Sequence, residues 1–471
     1  MIKVSLKWIA EAVQGELVPE NSQNVTVESV TIDSRQIRSG DLFIAIKGPN
    51  FDGHTFAEQA EAEGAAALIV ESQQNLSIPQ IIVADTRHAL GQLAGAVKDE
   101  VAPKTIAVTG SSGKTTVKEM LASILREQGE VLATQGNFNN DIGVPLTLLR
   151  IEPQHQYAVI ELGANHRGEI AYTTGLTKPD VAMINNVSPA HVEGFGDICG
   201  IARAKTEIFR GLGDTGTAVT SADSEFHEFW MRELADKRHQ LFSSQHKEAD
   251  VWAEDVSVDS HGCAQFTLCT PHQREAVRLN IPGKHNVNNA LAAATCCFAL
   301  GIPIAQVVRG LGGLSPVPGR MWVHEPKVGL RIIDDAYNAN VGSVRAALDV
   351  LSTLPGKRIF VLGDMGELGE NARGYHEEVG EYAIHSGIDA LFTLGVLSQS
   401  ASEVFNGRGG KHFEHKEELI AALHQQIAEH SELTILVKGS RSAHMESVVE
   451  ALLESYAPSQ NNKNSRGKEA C

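Results

Sequence analysis

Cysteine is sparse and unpatterned in this chain. Six cysteines (Cys199, Cys263, Cys269, Cys296, Cys297 and Cys471) are scattered through 471 residues with no C-x-x-C pair. That excludes a zinc ribbon and a disulfide framework and points to a reducing cytoplasm. Aromatic residues make up only 5% of the chain, too few for a base-stacking surface. Basic residues are outnumbered, 40 Lys+Arg against 58 Asp+Glu for a net charge of −18, so the surface as a whole repels polyanions and nucleic-acid binding is disfavoured. Long apolar runs are missing: the most apolar stretch, 290–300, is too short to span a bilayer. The opening MIKVSLKWIAEAV reads as a short amphipathic helix without the apolar centre and cleavage site of a secretory signal. No repeat at a solenoid period is found. What remains is a soluble, cytoplasmic, multidomain protein, with 42% hydrophobic and 21% charged residues and length for about three domains.

Strand and helix signals alternate along the whole chain, which predicts α/β architecture. Residues 1–102 carry short mixed elements (VTVESVTI, DLFIAI, ALIVE, IIVAD), the pattern of a small mixed α/β domain. Pro103 interrupts them. Residues 103–314 then follow the rhythm of a parallel sheet, with a small antiparallel insertion expected at 250–279 and NVNNALAAATCCFAL as the closing helix. The Pro/Gly-rich GGLSPVPGRM marks a second boundary, and 315–456 resume the alternation as a Rossmann-like domain. Residues 457–471 are polar and are expected to be a disordered tail.

The most specific motif is TIAVTGSSGKTTVKEM, an apolar strand running through Gly110, Ser111, Ser112, Gly113, Lys114, Thr115 and Thr116 into a helix. Small residues let backbone N–H groups face phosphate oxygens, Lys114 offsets phosphate charge and Thr115 can ligate Mg²⁺. The loop is shorter than G-x-x-x-x-G-K-[ST], because Val108 stands where the first glycine belongs. In YAVIELG a strand delivers Glu161 to the edge where parallel sheets bind ligands. Metal ligation and helix capping are equally open for this carboxylate taken alone, and the P-loop beside it favours metal. His191 in SPAHVEGFG and Lys205 in ARAKTEIF say little alone, since such residues are more often structural or solvated. Asn137, Asn139 and Asn140 could bind a polar ligand or simply turn the chain. Asn286 and Asn289 share one helical face and could read a purine edge, or cap the helix and line its polar face. Near the second boundary, Arg320 could pair with phosphate and Asp335 could accept from a ribose, while Lys438, Ser440 and Arg441 follow a strand where a carboxylate could be held.

Together these motifs resemble the Mur ligase family from the first residues to about Tyr456. The match rests on DSRQIRSGDLFIAIKG and DGHTFA, then TGSSGKTT, TQGNFNNDIGVPLTLL, ELGANHRGEI, SPAHVEGFG, ARAKTEIF and HNVNNAL, and finally DDAYNAN, LGDMGELG and VKGSRSAHME. The resemblance implies an ATP-dependent ligase that phosphorylates an acceptor carboxylate and lets an amine displace phosphate. It implies Lys114 on the phosphates, two Mg²⁺ ions held by Thr115, Glu161, His191 and a carbamylated Lys205, adenine against Asn286 and Asn289, ribose at Asp335 and phosphate at Arg320. Ser34 and Arg35 fall where a uridine diphosphate would bind, and Asn338 lies in DAYNAN among the substrate contacts. DSR with GDLF in place of a G-x-G turn, and DAYNAN in place of D-Y-A-H-T-P, resemble the branch that adds D-alanyl-D-alanine to UDP-N-acetylmuramoyl-tripeptide. Folylpolyglutamate synthetases share the ligase core but start near the P-loop, which about a hundred residues precede here. A monomer without nucleic-acid or membrane partners is expected, and Val341 replaces the proline usual after NAN at little cost, because proline at N1 only pre-sets φ.

Overall fold

β-Branched runs bounded by glycine or proline become buried strands, and the amphipathic stretches between them become the covering helices. In the computed structural model, which describes residues 1–48, 51–189 and 192–456, this produces three successive α/β domains, each built on its own sheet. The first sheet orders its strands Glu16–Val18, Gln80–Ile82, Ala67–Val70, Leu42–Ile44 and Val30–Thr31, antiparallel only at the Glu16–Val18 edge. The start of the chain differs from the sequence expectation: Val4–Ser5 pairs with Thr26–Val27, and the helix begins only at Leu6, capped by the Ser5 hydroxyl.

The central sheet has nine strands. From Val131–Ala133 through Tyr157–Glu161, Lys104–Thr109, Val181–Ile184, Thr217–Ser221 and Arg238–Ser243 to Val251–Val258 all pairs are parallel. The expected antiparallel insertion is instead an extension of this sheet: Cys263–Cys269 and Arg274–Pro282 add antiparallel to Val251–Val258, which itself pairs parallel with Arg238–Ser243. Side chains alternate strictly across the sheet, as a strand period of two requires. Ile106, Val108, Val159 and Met183 enter the core on one face, and Ala107, Ala158, Ile160 and Ile184 enter the core on the other. That second core also contains Leu90, Leu93 and Val97 of the first domain's helix Thr86–Val101, so the first two domains share apolar packing.

Helix Asn286–Ala299 does not close the central domain, because Ile304–Gly312 follows it and packs on helix Lys114–Arg126. The third sheet runs Trp322–Lys327, Leu330–Asp335, Leu433–Lys438, Lys357–Gly363, Ala390–Leu394 and Gly410–Phe413, parallel except for the first pair. Trp322–Lys327 hairpins onto Leu330–Asp335 across Gly329, which has φ +78. Among the described residues no helix is long and apolar enough to cross a membrane. The strands ending at Thr109, Glu161 and Ile184 present their carboxyl ends to the same cleft as those ending at Asp335 and Lys438.

Candidate active site

The cleft between the central and third domains has a volume of about 720 Å³ and draws its walls from both. Its floor is the P-loop. Gly113 takes φ +74 at the N-cap of helix Lys114–Arg126, and a Cβ there would stand 2.6 Å from both Asn185 Nδ2 and Asn289 Oδ1. Only glycine fits both the backbone angle and the space. Not every N–H of the loop is open to a phosphate: Ser111 N donates to the Asn186 carbonyl at 3.0 Å and Ser112 N to Asn186 Oδ1 at 2.9 Å. The Ser111 hydroxyl is likewise engaged, donating to the Ser188 carbonyl at 2.9 Å. Two residues fewer than the standard loop leave these groups turned toward the neighbouring strand end. The N–H groups of Gly113, Lys114, Thr115 and Thr116 have no acceptor among the described residues. Lys114 Nζ reaches back to the Gly110 carbonyl at 2.8 Å. Burial lowers the Lys114 ammonium pKa, with Glu161 opposing that shift and Arg320 adding to it.

Glu161 is 2% exposed at the end of its strand. Its Oε2 accepts from the Thr115 hydroxyl at 3.0 Å and its Oε1 from Asn139 Nδ2 at 2.8 Å, while Arg320 Nη2 of the third domain donates to the same Thr115 hydroxyl at 3.2 Å. A buried carboxylate touching the P-loop hydroxyl is a hard-oxygen donor set that fits Mg²⁺. Among the described residues no three His, Cys, Asp or Glu side chains gather as a metal cage. His191 lies outside the described residues. Asn137 and Asn140 also line the cleft, but Asn140 Oδ1 accepts from Gly143 N at 2.7 Å and so turns the chain into its next helix.

Lys205 is 3% exposed, and among the described residues no hydrogen bond or ion pair reaches its ammonium. Burial pushes its pKa well below the ordinary lysine value, and Lys114 pushes it further the same way. Asn286 and Asn289, both buried, form a chain of amides. Asn286 Nδ2 donates to the Pro282 carbonyl at 2.8 Å, Asn289 Nδ2 to Asn286 Oδ1 at 2.8 Å, and Asn185 Nδ2 to Asn289 Oδ1 at 2.9 Å. Each of the two keeps one amide N–H beyond this chain.

On the opposite wall Lys438 Nζ sits 2.6 Å from Asp335 Oδ2 and 2.9 Å from the Asn338 carbonyl, and Asp335 Oδ1 accepts from Met321 N at 3.1 Å. Lys438 therefore holds the Asp335–Asn338 turn. Burial lowers its pKa and Asp335 opposes the shift. Arg320 stacks on Tyr337 at 4.2 Å from the ring centroid, with Arg441 over the same ring at 5.6 Å. Ser440 does not line the cleft; its N–H donates to the Asp364 carbonyl at 2.8 Å. Ser34 and Arg35 also lie away from it, on the first domain, where Arg35 forms a bidentate pair with Asp33 at 2.9 and 2.8 Å. That pairing and the N–H of Arg35 hold the half-buried Asp33 carboxyl at about 2. Sequence reasoning missed Asn185, Asn186, Tyr337 and Asn340, whose Nδ2 reaches the Ser111 carbonyl at 3.4 Å across the cleft. The signal available was two consecutive asparagines immediately after a buried strand.

Three family models match in chain order: the Mur ligase family catalytic domain at 26–98, the Mur ligase middle domain at 108–297 and the Mur ligase glutamate ligase domain at 319–441. The UDP-N-acetylmuramoyl-tripeptide–D-alanyl-D-alanine ligase of Escherichia coli K12 is 46% identical over 96% of this chain and 99% of its own. A crystal structure of MurF from Acinetobacter baumannii superposes with a TM-score of 0.91 at 38% identity, covering 96% of this chain and 99% of that one. MurF ligase from Thermotoga maritima, solved with ADP, superposes at 0.81 with 29% identity over 91% and 97% of the two chains. With relatives this similar along nearly its whole length, the chain belongs to the Mur ligase family.

Proposed function

We propose that this chain is an ATP-dependent ligase that joins D-alanyl-D-alanine to UDP-N-acetylmuramoyl-tripeptide, a step of peptidoglycan precursor synthesis. The observation that carries the reading is the convergence, in one cleft, of a P-loop whose 113–116 N–H groups have no acceptor among the described residues, the Thr115–Glu161 pair and a buried Lys205 that no anion pairs with among the described residues. The names of the relatives supply the substrates.

Amide formation from a carboxylate is unfavourable in water, so the acceptor carboxylate is first activated. Its oxygen attacks the ATP γ-phosphorus, the bond to the β–γ bridging oxygen breaks and ADP leaves. The amine of D-alanyl-D-alanine then attacks the acyl carbon, loses its proton and expels phosphate. Phosphoryl transfer of this kind asks for placement and charge stabilisation more than covalent help. The N–H groups of 113–116 and Lys114 hold the phosphates, Arg320 approaches from the third domain, and Asp335, positioned by Lys438, faces the ribose. Asn286 and Asn289 offer amide N–H groups to the base. Thr115 and Glu161 would hold one Mg²⁺ ion, and His191 with Lys205 a second; the ions supply neutralising charge on the phosphate oxygens. The lowered pKa of Lys205 favours a neutral amine, the form that attacks CO₂ and becomes a carbamate anion. Ser34 and Arg35 receive the uridine diphosphate end. In this reading 1–102 binds the nucleotide-sugar, 103–314 carries ATP, and 315–456 closes over it. The free described cysteines fit a cytoplasmic setting.

The test is phosphate release from Mg–ATP with each substrate alone and with both. Release that requires the tripeptide and D-alanyl-D-alanine together, one amide per phosphate, is expected. Release indifferent to either substrate overturns the assignment.

A further inference from the structure

The Ser112 carbonyl of the P-loop accepts two hydrogen bonds, and both donors come from outside the loop. Asn185 Nδ2 and Asn186 Nδ2 both donate to it at 3.0 Å, while Asn186 Oδ1 accepts from Ser112 N at 2.9 Å and from the Ser112 hydroxyl at 3.2 Å. Both asparagines follow strand Val181–Ile184, whose pairing with Lys104–Thr109 continues into Asn185 N donating to the Thr109 carbonyl at 2.9 Å. A trans peptide points its C=O and its N–H in opposite directions. Two amide donors fixing the Ser112 carbonyl therefore turn the Gly113 N–H away from them, and that N–H has no acceptor among the described residues. The lack of a Cβ on Gly113 lets Asn185 and Asn289 approach closely enough to hold this arrangement.

From this geometry we infer that Asn185 and Asn186 are positioning residues that fix the Ser112–Gly113 peptide, so that a loop two residues shorter than the standard form still presents the Gly113 N–H to a nucleotide phosphate. The inference rests on the nucleotide-binding reading above. Each asparagine supplies one of two donors to the same oxygen, so either one retains the peptide orientation without the other. Their effects on phosphate binding are then more than multiplicative, because only the double variant frees the carbonyl to turn.

The experiment measures the affinities of Mg–ADP and of adenosine for full-length wild type, Asn185→Leu, Asn186→Leu and the double variant. The ratio of the two affinities cancels any effect on the base site, including the contact of Asn185 with Asn289. Each single variant is expected to reduce the ADP-to-adenosine preference about threefold and the double variant by about thirtyfold or more. A double effect equal to the product of the singles, or an unchanged ratio, overturns the inference. A measurement on the wild type needs no variant to fold: with glycine-selective ¹⁵N labelling, the Gly113 amide proton is expected to move downfield on saturation with Mg–ADP, while that of the remote Gly175 stays. Intact ADP binding with an unmoved Gly113 overturns the inference alone. No ADP binding to the wild type overturns the nucleotide reading and the inference with it.

Discussion

A buried ammonium without an anion beside it costs folding free energy unless its charge is removed. Among the described residues Lys205 is such a group, with its pKa well below the usual value through burial and then through Lys114. Because the folded-state pKa is depressed, the unfolded chain binds more protons than the folded one at pH values between the two, so this site costs stability at neutral pH and the cost fades as pH rises toward 10.5. In CO₂-depleted buffer at neutral pH, Lys205→Met is expected to raise the melting temperature by about 2–4 °C, the shift given by about 1 kcal/mol in a domain of this size. The same substitution abolishes ligation, and Lys205→Ala regains part of it with a short-chain carboxylate at high concentration. Calorimetry and turnover on the same samples check both halves; full turnover without rescue would rule out the carbamate role. The P-loop motif pointed to Lys114 and, through it, to Glu161, while Lys205 stood out only through the family resemblance. It could not place Asn185 and Asn186, because what an amide touches depends on which strand lies beside it, and the central sheet sets Val181–Ile184 next to Lys104–Thr109 although some seventy residues separate them.

At the scale of elements, the P-loop helix is set in place by close backbone contact. Helix Ile304–Gly312 crosses helix Lys114–Arg126 at Gly310, where a Cβ would stand 2.4 Å from Ile124 Cα and 2.8 Å from Ile124 N, and the Ser123 hydroxyl donates to the Gly310 carbonyl at 2.7 Å. A backbone cannot yield as a side-chain tip can. Alanine normally stabilises a helix over glycine by about 1 kcal/mol, so the sign of the substitution reads the packing directly. Gly310→Ala is expected to destabilise by about 1–3 kcal/mol. Gly175→Ala, in helix Glu169–Thr177 with nothing within 4 Å of its added methyl, is expected to stabilise by about 0.5–1 kcal/mol. Denaturant titration of both variants decides it, and stabilisation by Gly310→Ala would remove the close-packing account. The period of the apolar residues made the parallel strands and the long helices legible. The short edge strands Glu16–Val18, Trp322–Lys327 and Gly410–Phe413 were not, since they are half-exposed and take their conformation from the neighbour they pair with.

At the scale of the molecule, the chain's net charge of −18 says nothing of a cleft where Lys114, Arg320, Lys438 and Arg441 face carboxylates such as Glu161 and Asp335, a placement no composition can reveal. The three domains are not equally joined around it. One apolar core runs from Leu6 and Ile9 through Leu90 and Leu93 into Ile160, Ile184 and Trp230, so the first domain and one face of the central sheet exclude water together. The third domain buries its apolar residues in two cores of its own, one on each side of its sheet, and meets the central domain at the cleft through polar contacts such as Arg320–Thr115 and Asn340–Ser111. Shared apolar area couples unfolding, whereas a few part-buried hydrogen bonds couple it weakly. Without ligands, scanning calorimetry is therefore expected to show two transitions in place of the three that a count of domains would suggest. Leu93→Ala, in the first domain's helix, and Leu162→Ala, at the end of the central strand Tyr157–Glu161, should lower the same transition, each by about 2–5 kcal/mol, and leave the other in place. Leu436→Ala should lower the second transition alone. If Leu93→Ala and Leu162→Ala move different transitions, the shared core does not bind the two domains into one unit, and closure of the cleft would have to be described with three moving bodies rather than with one body swinging against a fixed pair.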